Sequence, residues 1–198
     1  MNRRLLTVPF LAIMLMASST VLVRALAPAV AEPPAADDNA ALVKRGAYLV
    51  QTMACHDCHT PWKMGPRGPE PDMSRALTGH PEDLVMPTPP ALPAGPWITL
   101  MAATNTAFAG PWGVSYTANL TPDPETGLGK WTYEMFIATM KTGRHQGKGR
   151  PVLPPMPTQI IAAAEDRDAR AIFAYLQSLA PVRNRVPAPG DPVEPGVR

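Results

Sequence analysis

The residues best equipped for chemistry in this chain stand together: Cys55, His56, Asp57, Cys58 and His59. Cys-x-x-Cys-His is the attachment signature of a c-type haem. Two thiols one helical turn apart can each add to a haem vinyl group, giving two thioether bonds. The histidine after the second cysteine is then held under the iron and supplies one axial nitrogen. The chain has 2 cysteines, both inside this string, so no thiol is left for a structural disulfide or a four-thiolate metal site. Two other chemistries use the same cysteine spacing. A dithiol redox motif expects a thioredoxin-like strand–helix–strand setting, whereas here a helical pattern precedes Cys55 and no strands are expected around the motif. A zinc site needs further ligands at short spacing, and His80 and His145 are scattered along the chain.

A haem iron dedicated to electron transfer needs a second axial ligand, and 11 methionines compete for that place. Met1, Met14 and Met16 lie in a leader-like segment. Met53 falls on the buried face that leads into the cysteine motif, and Met135 and Met140 fall on a helix, where core packing explains them. Met156 differs in kind. Pro155 and Pro157 flank it, deny it helix and hold it extended. Such a strap is stiff before anything binds, so little further entropy is lost when its thioether meets iron. Met86, Met101 and Met73 are the reserve candidates, with His145 and His80 behind them. Soft sulfur is a competent iron ligand, and His/Met ligation raises the potential relative to His/His.

Helices must position these groups. Asp37, Asp38 or Asn39 can cap a helix that continues to about Thr52 or Met53, with Leu42, Gly46, Leu49, Val50 and Met53 on one narrow face. Gly46 is costly in a helix unless another helix approaches it closely. Thr132 caps a second helix whose inner face is Phe136, Ile137 and Met140, and Gly143 ends it. A last helix spans about Asp166 to Leu179, with Ala169, Ile172, Phe173, Leu176 and Leu179 inward, and Pro181 stops it. Residues 61–118 lose regular periodicity. They are rich in proline but hold Trp62, Trp97, Phe108, Trp112 and Tyr116, which favours an ordered loop folded over an apolar surface such as a haem face. Arg144, Lys148 and Arg150 precede the methionine strap and could bond haem propionates or steer an acidic partner, and Trp112 and Tyr116 could also reach propionates.

The 198 residues suit one domain plus a leader. Met1 to Arg4 form a basic start, Leu5 to Val23 are mostly apolar, and Ala29-Val30-Ala31 is an A-x-A-like cleavage site, so residues 1–31 read as a signal peptide or an N-terminal membrane anchor. Residues 32–38 read as a linker, 39–181 as the domain, and 182–198 as a flexible Pro-rich tail. Loss of Arg3, Arg4 and Arg24 with the leader turns the formal charge of +2 into −1. That balance, with no basic run interleaved with aromatics, excludes nucleic acid as a partner.

With its parts in this order, the chain resembles the class I c-type cytochromes. It is particularly similar to bacterial periplasmic cytochromes related to the haem subunits of membrane dehydrogenases. The residues that carry the resemblance are Arg45 to Val50, Cys58-His59-Thr60-Pro61, Asn119 to Asp123, Thr142 to His145, Leu153 to Pro157 and Ile172 to Leu176. It implies an all-α, cytochrome c-like fold: three main helices around one covalently attached haem, with 61–118 as a long Pro-rich loop insertion. Carried over by position, Cys55 and Cys58 bind haem c covalently, and His59 and Met156 are the axial iron ligands.

The expected function is therefore single-electron transfer in the periplasm, without catalysis by the chain itself. Expected partners are redox proteins, such as a membrane dehydrogenase or a terminal oxidase, with membrane association through residues 5–23 if the leader is retained. The competing reading is a haem enzyme, peroxidase or reductase, or a ligand sensor, which needs an open iron face and acid–base groups such as His145 or Glu82 beside it.

Overall fold

A computed structural model describes residues 36–91 and 95–190. The expected signal peptide or anchor over residues 1–31 lies outside the described residues, as does most of the expected linker. Among the described residues no helix is long and apolar enough to cross a membrane.

The first helix, α1 (Ala36–Thr52), begins slightly earlier than its capping residues suggested and is the one that leads to the motif. It does not run into it. Met53 and Ala54 interrupt, and Ala54 adopts a left-handed conformation (φ 58°, ψ 30°) that disfavours any residue with a β-carbon. The motif then forms its own short helix, α2 (Cys55–His59). Helix α3 (Tyr133–Thr142) starts where Thr132 accepts a hydrogen bond from the Met135 amide and ends at Gly143 in the left-handed region. Helices α4 (Thr158–Ala162) and α5 (Asp166–Ser178) follow the methionine strap. The sequence pattern missed α4, which is only one turn long and opens directly after Pro157.

The core lies among these helices. Leu49 and Val50 of α1, Phe136 of α3, Ile161 of α4, and Ala171, Ile172 and Leu176 of α5 bury together with Leu77 and Leu128. Full burial of one such aliphatic or aromatic side chain contributes about 1.5–3 kcal/mol, so this cluster carries the fold. Helices carry the core and the sheets are small, so the class is all-α. Of the methionines assigned to the core, Met53 and Met140 pack against the cluster, whereas Met135 faces solvent.

The insertion is more ordered than its lost periodicity implied. It contains an antiparallel hairpin of β1 (Trp62–Gly65) and β2 (Gly68–Pro71). It also contains a three-stranded antiparallel sheet of β3 (Leu100–Met101), β4 (Ala107–Gly110) and β5 (Gly113–Tyr116) in sequential order. Both hairpins turn on the same tetrapeptide pattern, Gly65-Pro66-Arg67-Gly68 and Gly110-Pro111-Trp112-Gly113, with the outer glycines paired across the strands. Proline pre-sets the second turn position, and Gly68 (φ 120°) and Gly113 (φ 95°) take conformations closed to other residues. The expectation that no strands surround the motif is thereby corrected, since β1 starts three residues after His59.

The tail also differs from expectation over its first part. Asn119 donates to the Val182 carbonyl at 2.8 Å, Asn184 bonds the segment 78–82, and Gly190 donates to the Val114 carbonyl at 3.0 Å. Prolines prevent helix there, but the segment is held by side-chain amides rather than left free.

Candidate haem site

Helix α2 gathers three of the four predicted site residues on one turn and a half. Cys55 and Cys58 are both half-buried free thiols. Burial pushes the Cys55 thiol up to about 11 and raises that of Cys58 as well. A reactive dithiol works by the opposite shift, a lowered thiol pKa.

His59 is buried, at 8% exposure. Its Nδ1 lies 2.8 Å from the carbonyl oxygen of Ala118. A carbonyl only accepts, so Nδ1 carries the proton and Nε2 keeps its lone pair. Burial holds the ring below its ordinary pKa, with the Ala118 carbonyl working against that shift and the neighbouring His56 adding to it. The result is a neutral imidazole with a fixed tautomer, the state an iron ligand needs, and its carbonyl partner is the orienting contact metal-binding histidines have as a rule. Ala118 is 59 residues away in sequence, which no local pattern could reveal.

Met156 is half-buried and packs against the same apolar cluster that Cys55 borders. Of the reserve candidates, Met86 is half-buried as well, and the others are placed differently. Met73 is 58% and Met101 60% exposed, so neither can exclude water from an iron. His80 is fully buried but has both ring nitrogens engaged, Nδ1 with the Thr106 hydroxyl and Nε2 with the Leu84 carbonyl, each at 2.9 Å. His145 stands edge-on to Trp131, with ring centroids 5.0 Å apart. Glu82 is engaged by Arg183 and by the Arg185 amide. In the basic segment Arg144 and Arg150 each donate to a nearby carbonyl, of Gly149 and Pro151 respectively, and both stay exposed.

These residues fit a haem. Among the described residues no group of three or more His, Cys, Asp and Glu side chains gathers to hold a bare ion. A haem iron brings its own ring nitrogens and asks the protein only for axial ligands. Trp62 Nε1, Trp112 Nε1 and Thr117 Oγ1 are buried without a hydrogen-bond partner among the described residues. Trp62 lies three residues after His59, and Thr117 precedes the carbonyl that orients it. An indole N–H can only donate, and haem propionates supply acceptors. The sequence offers Trp112 as a possible donor of this kind, while the orphaned Trp62 and Thr117 atoms become visible only once packing is known.

No family model matches the chain. A subunit of nicotinate dehydrogenase from Pseudomonas putida is 40% identical over 86 residues, 43% of this chain and 7% of that protein. The cytochrome c subunit of alcohol dehydrogenase (quinone) from Gluconobacter oxydans is 30% identical over 156 residues, 78% of this chain and 25% of that subunit. The gluconate 2-dehydrogenase cytochrome c subunit of Pantoea cypripedii is 30% identical over 150 residues, 74% of this chain and 26% of that subunit. The chain therefore spans about a quarter or less of the length of these relatives. Taken with the Cys-x-x-Cys-His helix and the buried, oriented His59, these likenesses identify the chain as a c-type cytochrome similar to the cytochrome c subunits of dehydrogenases.

Proposed function

We propose that the chain is a periplasmic electron-transfer protein that holds one haem c through thioether bonds to Cys55 and Cys58. His59 and Met156 are the axial ligands, and a dehydrogenase is the electron donor. The observation that carries this reading is the hydrogen bond from His59 Nδ1 to the Ala118 carbonyl at 2.8 Å, which leaves Nε2 unprotonated in a buried position. The haem, when bound, supplies a one-electron couple. The chain's residues do the rest: the thiols fix the group covalently, His59 and Met156 tune its potential, and the apolar cluster keeps water from it. Such a protein supplies binding and orientation rather than bond chemistry, and its encounters with partners are small in area.

The test is the absorption spectrum of the purified exported protein, oxidised and reduced, with and without carbon monoxide, together with its intact mass. A low-spin spectrum, a Met–Fe(III) charge-transfer band, no carbon monoxide shift and a mass that includes haem are the expected results. A high-spin spectrum or ready carbon monoxide binding would instead select the enzyme or sensor reading.

A further inference from the structure

The segment from β5 to Ala118 touches both halves of the proposed site. At one end, the Ala118 carbonyl accepts the hydrogen bond from His59 Nδ1. Three residues earlier, Ser115 is buried at 8% exposure and its hydroxyl donates to the Pro154 carbonyl at 2.6 Å. The other acceptor within reach, the Phe108 carbonyl, is 3.4 Å away. A serine hydroxyl has a single proton, and the shorter bond takes it. Pro154 stands two residues before Met156.

The strap needs such a tie. Pro154, Pro155 and Pro157 have no amide protons to give, so most of its backbone cannot join a hydrogen-bond ladder. Its internal bonds are the Met156 amide to the Leu153 carbonyl, a long 3.4 Å, and the Thr158 amide to the Met156 carbonyl at 3.0 Å. Ser115 itself is held rigidly. It pairs with Phe108 across β4, the Thr117 amide bonds the Thr106 carbonyl at 3.0 Å, and the Leu120 amide bonds the Leu77 carbonyl at 2.9 Å. One short segment, β5 and the two residues after it, therefore holds the carbonyl that orients His59 and grips the strap that carries Met156.

We propose that Ser115 is a positioning residue for Met156, acting through the Pro154 carbonyl to keep the thioether on the iron. The insertion is then a brace for the axial ligands rather than a surface excursion. This rests on the His/Met reading above.

The test uses the full-length holoprotein carrying Ser115→Ala, and the pair Ser115→Thr and Ser115→Val, which share a shape and differ in the hydroxyl. The readouts are the rate of carbon monoxide binding by the reduced protein and the Met–Fe(III) charge-transfer band, with the denaturation midpoint measured beside them. Loss of the hydroxyl is expected to speed carbon monoxide binding about tenfold, in the range that partners of metal ligands command, and to weaken the band. Ser115→Thr is expected to behave as wild type and Ser115→Val as Ser115→Ala. If Ser115→Ala does not fold, the Thr/Val pair decides. Unchanged carbon monoxide binding and band in the hydroxyl-free variants overturn the proposal, even if the midpoint drops, because the role is then only structural. A wild-type protein that itself binds carbon monoxide readily overturns the His/Met reading and this inference with it, and is told apart because no variant is needed to see it.

Discussion

Gly46 of α1 lies against the carbonyl of Ala171 on α5, so close that a β-carbon added there would overlap the oxygen. It would also sit 2.6 Å from the carbonyl carbon and 2.7 Å from Tyr175 Cβ. Two effects compete in a Gly46→Ala variant. Helix propensity favours alanine by about 1 kcal/mol. Against that, the obstruction is helix backbone, which no rotamer change can clear, and overpacking of this kind costs about 1–3 kcal/mol. The two helices would have to part, disturbing Val50 and Ile172 in the core. The expected outcome is a net loss of stability, measured as a lower denaturant midpoint of the holoprotein. A midpoint at or above wild type would show that α1 and α5 can separate without cost.

Asn184 gives the second prediction. Its amide donates to the carbonyls of Thr78 and His80 at 2.7 and 2.8 Å and accepts from the Glu82 amide at 2.8 Å. It is 7% exposed, so Asn184→Ala strands three backbone groups in a place water barely reaches. Leaving buried polar groups unmade costs about 1–3 kcal/mol. Asn184→Ala is expected to destabilise the protein by that amount in chemical denaturation, and Arg183→Ala, which removes only an exposed ion pair with Glu82, by under about 1 kcal/mol. Equal effects of the two would mean that charge rather than the amide holds this segment.

Helices α3 and α5 were legible in the sequence because each has both a period and a stop, whereas the single turn of α4 after Pro157 has neither. Thr132 and Gly143 bracket α3, and Ile172 to Leu176 mark the inner face of α5. The motif was legible because its chemistry demands a fixed spacing. The insertion was not, although Gly-Pro-x-Gly occurs twice and each copy makes a hairpin turn. Strands of four residues or fewer carry too little alternation to register, and prolines at Pro69 and Pro71 masked the β2 edge strand. The roles of Ala118 and Asn184 depend on chain segments far apart in sequence meeting in space, and Asn184 looked like part of an unstructured tail.

His80 sets a pH dependence. Its Nε2 donates to the Leu84 carbonyl, so the neutral ring must accept at Nδ1 from the Thr106 hydroxyl, which in turn can accept from Thr104 at 2.8 Å. Burial lowers its pKa from the ordinary 6.5 or so, with the Leu84 carbonyl and Asp83 opposing and Arg75 assisting. The unfolded chain therefore binds a proton that the folded one resists. Stability from this group is complete above about pH 6.5 and is lost as pH falls from there through the lowered folded value. Denaturation of wild type at steps between about pH 7 and 5 should show falling stability, above the range where the carboxylates titrate. A His80→Asn variant, weaker at pH 7, should show a shallower fall. An identical slope in both would move the effect to His56 or His145, which burial also lowers.

Met156 is the axial assignment that most needs a direct test. Unlike Met73 and Met101 it is not solvent-exposed, and unlike His80 it has no competing hydrogen bonds to give up. Under the proposed His/Met ligation, removing its thioether in Met156→Ala would take away the ligand that favours ferrous iron and leave a face open to small molecules. The expected result is loss of the Met–Fe(III) band, rapid carbon monoxide binding and a potential lower by at least about 59 mV, a tenfold shift in the one-electron equilibrium. Met86→Ala serves as the control, because Met86 is half-buried too but lies in the insertion. It should leave all three readouts unchanged. If the two variants exchange behaviour, the ligand comes from the insertion, and the Pro-Met-Pro strap is a packing element only.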